Sequence, residues 1–296
     1  MINKILNSNW ACSAFAMKLK KSFVGQWFKH SWIFKFLKES AGDWRYPFFC
    51  ATWEIANFLR RWRLARVDGV QFYLPCENPY THMRYYTIKT KEPEVKQFLN
   101  EYLAEDDVLF DIGANIGILS LYSVLSKKGV IAYAFEPEYS TLSLLKDSVI
   151  KNKLSHKIYP YSVGVSDFVG LSRLHLQSLQ GGGAAHSESQ DNLQRTEEGY
   201  NIVGTEGIAA VTLDYLVEEL NVTPNIIKID TDGNELKILR GAENLLNDTK
   251  LKGLIIECPF IEETNTACRK ILVEAGFNEI KLSTNIGGGN MGWVRN

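Results

Sequence analysis

The chain has 296 residues, a hydrophobic content of 45%, a charged content of 23% and a net charge of −1. These values are typical of a globular protein and exclude a largely disordered chain, and the length allows one large α/β domain with an appendage. The five cysteines are scattered and form no C-x-x-C, which argues against a disulfide framework or a zinc site and favours a reducing, cytoplasmic location.

The first 66 residues differ in composition from the rest of the chain. They hold twelve Lys/Arg against three Asp/Glu, a net charge of +9 that leaves −10 for residues 67–296, and they hold six of the seven tryptophans. From about Thr52 the apolar residues recur at the spacing of a helix, in the order Ile55, Phe58, Leu59 and Trp62. Residues 1–66 are therefore predicted to be a basic, tryptophan-rich helical extension.

Two interpretations of this extension stay open. Its aromatic residues can pack on the main domain or on a second subunit of a homo-oligomer. Alternatively, tryptophan together with Lys/Arg suits a membrane headgroup region, which would make the protein peripheral at the inner face of the membrane. No stretch approaches the roughly 18 apolar residues of a spanning helix. A nucleic-acid partner is not expected, because the basic residues accompany no recognisable binding motif.

Residues 67–107 are predicted to lead into the core of the domain as β-structure and helix. Runs rich in β-branched and aromatic residues predict strands at Val70–Leu74 and Arg84–Ile88. Asn78-Pro79-Tyr80 is then interpreted as the turn between these two strands.

Residues 108–296 alternate between strand and helix patterns, which predicts a Rossmann-like, doubly wound α/β sheet that is mostly parallel. Strands are predicted near 108–112, 130–136, 158–165, 226–230 and 253–258, and helices near 117–127, 139–152, 235–247 and 264–275. A closing hairpin, Glu279–Ser283 with Asn290–Val294, is predicted to add an antiparallel C-terminal strand. The polar tract Gln177–Gly207 is interpreted as a mobile lid or substrate loop, because long loops in compact domains are usually functional or disordered.

A glycine-rich turn follows the first strand of this core. Residues Asp111–Gly117 read D-I-G-A-N-I-G and stand between an apolar strand and a helix start, where bare backbone N–H groups face a ligand. The next strand ends in Glu136, whose carboxylate can accept both hydroxyls of a ribose. The pair predicts a cofactor that contains a nucleoside.

The spacing of the turn favours one cofactor over another. A nicotinamide-binding turn reads G-x-G-x-x-G, and Asn115 at the middle position leaves less room for a pyrophosphate, which disfavours an NAD-dependent oxidoreductase. The turn resembles motif I of class I S-adenosylmethionine (SAM) methyltransferases, and the resemblance implies that Asp111 lies near the amino end of the methionine moiety. The predicted cofactor residues of the turn and second strand are Asp111, Gly113, Asn115, Gly117 and Glu136.

The segment after the third strand is the candidate adenine site. Gly164, Ser166 and Asp167 are predicted to contact the base, with Asp167 near the exocyclic amine. The alternative is an ordinary turn before Gly170.

Acidic residues follow the fourth and fifth strands. Asp230, Asp232 and Glu235 come directly after Ile226–Ile229, and Glu257 ends the next strand. Ligands of open α/β sheets bind beyond the carboxyl ends of the strands, so these carboxylates are predicted to lie near the methyl acceptor. The alternative for Asp232 and Glu235 is that they stabilise the following helix by capping and dipole effects.

Four blocks together resemble the FkbM family of methyltransferases. They are Phe110–Gly117, Phe135–Pro137, Thr212–Asp214 and Ile227–Ala242, the last of which is similar to the family signature I-K-[IV]-D-[VI]-E-G-x-E-x-x-x-L-x-G-A. The chain departs from that signature at Thr231 and Asp232, where the family has an aliphatic residue and Glu. The resemblance implies SAM-dependent O-methylation, often of sugar hydroxyls in glycans, polysaccharides or natural products.

Such a reaction needs a group that removes the proton of the acceptor hydroxyl. The candidates are Asp230, Glu235 and Glu257. A divalent ion held by Asp230 and Asp232 is an alternative means of lowering the hydroxyl pKa. A protein of another class, a non-catalytic SAM-fold binder recruited through its basic N-terminus, is the rival hypothesis. The expected partner is a sugar or small-molecule acceptor, whose identity no motif of the sequence specifies.

Overall fold

The computed structural model describes residues 55, 61–183, 186–189, 202–257, 262–282 and 289–295. The chain divides into two compact units between Arg61 and Trp62. The predicted N-terminal extension lies almost wholly outside the described residues, which belong mainly to the unit that begins at Trp62. No helix among the described residues is long and apolar enough to cross a membrane.

Strands and helices alternate along most of this unit. The strands are β1 Trp62–Val67, β2 Val70–Pro75, β3 Val108–Ile112, β4 Ile131–Phe135, β5 Ile158–Tyr161, β6 Gly164–Val165, β7 Gly170–Leu176, β8 Ser187–Ser189, β9 Gly204–Val211, β10 Ile226–Ile229, β11 Gly253–Glu257, β12 Asn278–Ile280 and β13 Asn290–Val294. The α-helices are α1 Pro79–Thr87, α2 Pro93–Tyr102, α3 Ile118–Ser126, α4 Tyr139–Lys151, α5 Leu213–Leu220, α6 Glu235–Arg240 and α7 Glu262–Glu274, and a 3₁₀ turn spans Leu245–Asn247.

The central sheet confirms the predicted doubly wound architecture. Its seven strands lie in the order β12-β13-β11-β10-β3-β4-β5. Strands β11, β10, β3, β4 and β5 are parallel to one another, and β13 is antiparallel to β11, as the closing hairpin predicted. Strands β3 and β10 are sequence-distant neighbours at the point where the winding direction changes, and ligands of such sheets bind at that point.

Both faces of the sheet are buried, which explains why its strands are almost continuously apolar. Leu109 and Ile226 belong to the core on one face, whereas Phe110 and Ile227 belong to the core on the other. This alternation follows from the two-residue period of a strand. The carboxyl ends of the strands therefore share one edge of a rigid layer.

The sequence predicted a helix from about Thr52 to Trp62, and this prediction is wrong at Trp62. Residues 62–67 form β1 and pair antiparallel with β2. Asp68 and Gly69 both have positive φ, at 48° and 82°, as the central residues of a tight hairpin turn require. An Asp-Gly pair between two alternating runs is a strong hairpin signal, and the helical spacing of the preceding residues had concealed it.

The predicted strand Arg84–Ile88 is also wrong, because the segment belongs to α1 and its C-cap. The Asn78 side chain accepts a hydrogen bond from the Thr81 N–H at 3.0 Å, and the Thr81 hydroxyl lies within 3.1 Å of the Asn78 N–H. Pro79 occupies the first helical position, where its fixed φ favours helix. Asn78-Pro79-Tyr80 is therefore a helix start and not a turn between strands.

A small sheet, in the order β6-β9-β7-β8, stands beside the central one and was not predicted. It divides the predicted strand 158–165 into β5 and β6, which belong to different sheets. It also includes Ser187–Ser189 and residues 204–207 of the tract that was interpreted as a loop, so that interpretation is wrong for these residues. Residues 184–185 and 190–201 of the tract lie outside the described residues.

Candidate active site

Two adjoining cavities open at the carboxyl ends of the central strands. Both are lined by Arg84, Lys91, Gly113, Asn115 and Asp230. The first cavity extends over the end of β4 to the small sheet, and its other lining residues include Phe135, Glu136, Pro137, Val163, Gly164, Val165, Leu174, His186, Glu188, Ile208, Asp232, Asn234 and Glu257. The second extends along the start of α3, past Ile88, Glu92, Ile116 and Leu119.

The glycine-rich turn between β3 and α3 forms the floor shared by the two cavities. Gly113, Asn115 and Gly117 have φ values of 71°, 51° and 82°, in the left-handed region that favours glycine and asparagine. A Cβ atom on Gly113 would lie 1.9 Å from the carbonyl oxygen of Asp230. The turn can therefore approach β10 only with glycine at this position.

Asn115 links the turn to the rest of the site. Its N–H donates to Glu136 Oε2 at 2.9 Å, and its Nδ2 donates to the carbonyl oxygen of Gly183 at 2.7 Å. Its Oδ1 accepts from the N–H of Ile116 at 2.9 Å. The side chain of this predicted cofactor residue is thus hydrogen-bonded to protein, so it contributes to the shape of the cavity wall.

Glu136 lies at the end of β4, where the sequence predicted a ribose-binding carboxylate. It is 6% exposed, and Oε1 accepts from the N–H of Glu138 at 3.0 Å while Oε2 accepts from that of Asn115. Burial raises the pKa of Glu136 to about 7, against the lowering effect of these two backbone hydrogen bonds. The carboxyl group lines the first cavity.

Lys228 is a buried charge that the sequence analysis did not single out. Its Nζ lies 3.4 Å from Asp111 Oδ1 and 3.5 Å from Asp230 Oδ2, and donates to the carbonyl oxygens of Ile112 at 3.3 Å and Gly113 at 2.9 Å. Burial would lower the pKa of Lys228, but the carboxylates of Asp230 and Asp111 outweigh burial and hold it above its ordinary value. The signal was present in the sequence, because a lysine within an apolar strand needs a buried partner.

Asp111 lies beneath the turn and is fully buried. Its Oδ2 accepts from the hydroxyl of Ser120 at 2.6 Å, and its Oδ1 faces Lys228. Asp111 is not among the described residues that line either cavity. In this structure the acidic residue of the motif acts on the turn through Lys228 and Ser120.

Asp230 and Glu257 bring the ends of β10 and β11 together in the first cavity. Their carboxyl groups are hydrogen-bonded to each other, and Glu92 adds a third carboxylate, all within 4.8 Å. Burial and the neighbouring Asp230 raise the pKa of Glu257. Lys228 outweighs burial at Asp230 and lowers the pKa of that carboxyl group. One carboxyl group of the pair therefore holds a proton more tightly than the other.

The predicted metal pair, Asp230 with Asp232, does not match this grouping. Among the described residues, the group of three acids whose oxygen atoms lie within 4.8 Å of one another is Glu92, Asp230 and Glu257, and this group does not include Asp232. Asp232 lines the first cavity and has a φ of 55°, as part of the tight turn after β10. Glu92 was not predicted, because it precedes Pro93 at the start of α2, far in sequence from the strand ends.

Of the three carboxylates predicted to be catalytic, Glu235 does not line the cavities. It is fully buried, and Oε1 accepts from the Thr231 N–H at 3.1 Å, the Thr231 hydroxyl at 3.0 Å and the Gly233 N–H at 3.1 Å. Burial raises its pKa. Glu235 is not among the described residues that line the first or second cavity. These contacts favour the alternative interpretation, in which Glu235 stabilises the turn and the start of α6.

The three predicted adenine residues have different surroundings. Gly164 lines the first cavity, and Ser166 is fully buried with its hydroxyl 3.3 Å from Glu188 Oε2. Asp167 is exposed and is not among the described residues that line that cavity. Glu188 lines it instead, from a strand within the polar tract where no sequence signal indicated a role.

The described start of the polar tract is fixed by hydrogen bonds. The carbonyl oxygens of Gly181, Gly182 and Gly183 accept from the side chains of Asn78, Arg84 and Asn115 at 2.7–3.1 Å. The Gly182 N–H donates to the Thr141 hydroxyl at 2.8 Å. This part of the predicted lid is anchored above the glycine-rich turn.

The first cavity is rich in acidic residues. Five acids line it, and the basic residues beside them are Arg84 and Lys91, with His186 adding an imidazole (the acids are Glu136, Glu188, Asp230, Asp232 and Glu257). Burial lowers the pKa of Arg84, while Glu92, Asp230, Glu136 and Asp232 act to raise it. An acid-lined cavity of this kind suits a ligand that carries positive charge.

Comparison of the sequence with known families identifies one match. The sequence profile of the Methyltransferase FkbM domain matches residues 111–279. The hexuronic acid methyltransferase AglP of Haloferax volcanii is 29% identical over 196 residues, which are 66% of this chain and 71% of the relative. The 31-O-demethyl-FK506 methyltransferase FkbM of Streptomyces tacrolimicus is 26% identical over 162 residues, which are 48% of this chain and 62% of the relative.

A solved structure of similar fold is Methyltransferase FkbM from Methylobacillus flagellatus KT. It superposes with a TM-score of 0.48 at 16% identity, over 74% of this chain and 55% of that one. The chain therefore spans less than two thirds of this structure, as it does of the Streptomyces relative.

Proposed function

Because this chain belongs to the FkbM family of methyltransferases, we propose that it uses SAM as methyl donor and that a sugar hydroxyl is the acceptor. The methyltransferase activity itself follows from the family. The observation that supports the donor best is the acid-lined first cavity over a glycine-rich turn, with Glu136 at the end of the next strand.

The residues present fit SAM in shape and charge. The turn presents Gly113 and Asn115 to the cavity, the Glu136 carboxyl group can accept from ribose hydroxyls, and the acidic residues of the lining suit a sulfonium cation. When bound, SAM supplies a methyl carbon activated by the positive sulfur, transferred in line to the acceptor oxygen.

The sugar acceptor is supported by one relative, which is named for a hexuronic acid, a sugar derivative. The name of the other, 31-O-demethyl-FK506 methyltransferase, supports an oxygen as the methylated atom. Both names fit an oxygen acceptor held beside the carboxyl ends of β10 and β11. A glycan, a polysaccharide or a glycosylated natural product would supply such an oxygen.

We assign the role of proton acceptor to the Asp230–Glu257 pair. Lys228 holds Asp230 ionised, and the raised pKa of Glu257 makes its carboxylate the stronger base once its own proton has left. The acceptor hydroxyl would give its proton to the pair as the new C–O bond forms. Because the base form of Glu257 becomes populated as the pH rises, the transfer rate should rise with pH above neutrality.

Calorimetry of SAM binding, followed by transfer of a labelled methyl group, tests the proposal. We expect the folded wild type to bind SAM and to methylate an acidic or neutral glycan from a panel. Glu257→Gln should bind SAM with similar affinity, lose about 100-fold or more in transfer rate, and lose the rise of that rate with pH. Absence of SAM binding by folded wild type would contradict the donor.

Two further outcomes separate the rival roles. Binding of SAM without transfer to any member of the panel would favour a non-catalytic binding protein. Activity that a chelator abolishes and that returns with a divalent ion would assign Glu92, Asp230 and Glu257 to a metal rather than to a proton.

A further inference from the structure

The small sheet builds one wall of the first cavity, although it lies outside the central Rossmann-like layer. Leu174 on β7 is paired with Glu188 on β8, and Ser172 on β7 is paired with Ile208 on β9. Directly opposed residues of neighbouring strands point to the same face of a sheet, as do residues two apart on one strand. Leu174, Glu188 and Ile208 accordingly share one face, and all three line the cavity.

Other residues that line this cavity are also apolar. They include Pro137, Val163 and Gly164. A Cβ atom on Gly164 would lie 2.9 Å from Ile208 Cδ1 and 3.9 Å from Pro137 Cβ, so both side chains lie close to Gly164. These residues give the cavity an apolar surface on which a flat ring can pack.

The Glu188 carboxylate lines the same cavity and is held by several donors. The Glu188 side chain is 6% exposed, and Oε2 lies 3.0 Å from Lys237 Nζ and 3.3 Å from the Ser166 hydroxyl. The Ser172 hydroxyl donates to Oε1. These donors come from three different elements and fix the orientation of the carboxylate, yet a carboxylate has about four acceptor positions, so one stays available to a ligand.

We propose that Glu188 is the specificity residue for the adenine base, accepting a hydrogen bond from its exocyclic amine. Adenine is a flat ring whose amine edge donates, and a fixed, acceptor-only group selects for that edge. Hypoxanthine has a carbonyl group where adenine has the amine. Its carbonyl oxygen would face the Glu188 carboxylate, and because both groups only accept hydrogen bonds, the carboxylate would gain no partner from the base. The proposal rests on the proposed use of SAM and assigns to Glu188 the role that was predicted for Asp167.

The rival explanation of the Glu188 contacts is purely structural: Glu188 would serve only to link β8 to α6 through its ion pair with Lys237. In that case its removal would change stability or affinity for every nucleoside equally. Lys237 is 40% exposed, so its ammonium can be hydrated when Glu188 is neutralised, and the fold should survive the change. Discrimination between two bases is therefore the informative measurement, because a structural tie would not alter it.

The test compares the binding of S-adenosylhomocysteine and S-inosylhomocysteine by calorimetry. Wild type should prefer the adenine compound by about 10-fold to 100-fold. Glu188→Gln should reduce this preference to within about 3-fold, because a Gln amide can accept from an amine or donate to a carbonyl. Glu274→Gln on the exposed face of α7 is the matched control and should keep the wild-type preference.

Each of the other results has a separate meaning. Equal losses of affinity for both compounds in Glu188→Gln would overturn the proposal and support the structural tie. An unchanged preference in Glu188→Gln, with loss of preference in Asp167→Asn, would assign the amine to Asp167 instead. Binding of neither compound to folded wild type would contradict the proposed function itself, which distinguishes its failure from that of the adenine assignment.

Discussion

Lys228 is a residue whose effect reaches beyond its own contacts. Its ammonium lies 3.4 Å from Asp111 and 3.5 Å from Asp230, while its hydrogen bonds to Ile112 and Gly113 connect β10 to the carboxyl end of β3. A nearby cation favours the charged form of an acid, and at Asp230 the effect of Lys228 outweighs burial and lowers the pKa. The proposed proton-accepting pair therefore depends on a residue outside the pair itself.

Replacing Lys228 by Met should be strongly destabilising. The change leaves the buried Asp111 and the partly exposed Asp230 without their counter-charge. Removing one partner of a buried ion pair typically costs about 3–5 kcal/mol of the free energy of unfolding. Urea unfolding measures this cost directly. Lys252→Met is the matched control, because Lys252 forms a 2.6 Å ion pair with Asp107 while staying 48% exposed, and it should cost about 1 kcal/mol or less. Equal costs for the two variants would contradict the role of Lys228.

Glu136 should make the stability of the protein depend on pH. Its pKa is about 7 in the folded chain against an ordinary value of 4.5, so the folded state binds this proton more tightly than the unfolded state does. Protonation thus stabilises the fold below about pH 4.5, and the contribution is lost as the pH rises through about 7. Glu136→Gln lacks this titration. Its free energy of unfolding, relative to wild type, should therefore improve by up to about 3 kcal/mol between pH 4.5 and 7.

Urea unfolding at a series of pH values measures that difference. The informative quantity is the change in the gap between wild type and Glu136→Gln, because other titrating groups are common to both proteins. A gap that stays constant across this range would show that the pKa of Glu136 is the same in the folded and unfolded states.

The position of a residue at the cavity was predictable where neighbouring strands and turns in the sequence determine it. It was not predictable where pairing between distant segments determines it. Gly113 and Glu136 were identified because a strand, a turn and a second strand specify their positions locally. Glu188 was missed, because only its pairing with Leu174 brings it to the cavity. Asp167, two residues from a predicted strand, was chosen by proximity in sequence and is exposed.

At the scale of elements, the close approach of the β3–α3 turn to β10 should be intolerant of substitution. Gly113→Ala places a methyl group 1.9 Å from the Asp230 carbonyl oxygen and adds the strain of a positive φ. We expect a loss of about 3 kcal/mol or more in the free energy of unfolding, with loss of SAM binding. Thermal and urea unfolding together with calorimetry would measure both.

Gly69→Ala is the matched control for this substitution. Gly69 also has a positive φ, at 82°, but a Cβ atom there would meet nothing within 4 Å. Only the backbone strain of about 1–2 kcal/mol should remain. If Gly113→Ala cost no more than Gly69→Ala, the contact between the turn and β10 would not be tight in solution.

The inner strands of the central sheet were predictable because β3, β10 and β11 are buried along almost their whole length, and α4 and α7 were predictable because each spans 13 residues. The segment from Trp62 to Ile88 was less predictable. The spacing of apolar residues up to Trp62 favoured a helix, whereas Asp68-Gly69 favoured a hairpin, and the structure has the hairpin, in which β1 pairs with β2. In α1, aromatic residues typical of strands were overruled by the Asn78 cap and by Pro79. In both β1 and α1, hydrogen bonds determined the structure against the local pattern of the sequence. A pattern of apolar residues does not predict such hydrogen bonds.

At the scale of the whole molecule, the boundary between the two units predicts where the chain can be cut. Removal of residues 1–61 should leave a protein that unfolds cooperatively and binds SAM, because the unit from Trp62 has its own core. Removal of residues 1–66 deletes nearly all of β1 and leaves the edge of β2 unpaired. We expect the shorter protein to melt at a clearly lower temperature and to aggregate.

The same pair of truncations tests the proposed membrane contact of the N-terminal residues. Full-length protein should sediment with anionic vesicles, and the protein that lacks residues 1–61 should not, if this segment lies at a headgroup surface. Equal sedimentation of both would exclude that role. A change in the oligomeric state between them would instead favour the packing of the segment on a second subunit.

The adjacency of β3 and β10 in the sheet also has a consequence for synthesis on the ribosome. The Lys228 ammonium donates a hydrogen bond to the Ile112 carbonyl oxygen, 116 positions earlier in the chain. During synthesis, strand β3 therefore emerges long before strand β10. At a translation rate of about 5–20 residues per second, that delay is roughly 6–23 s. Throughout it, Asp111 lacks its counterion and one edge of β3 is open to pairing with another nascent chain. Slower elongation would lengthen this exposed interval, so the yield of folded protein should depend on the speed of the ribosome and on the supply of chaperones.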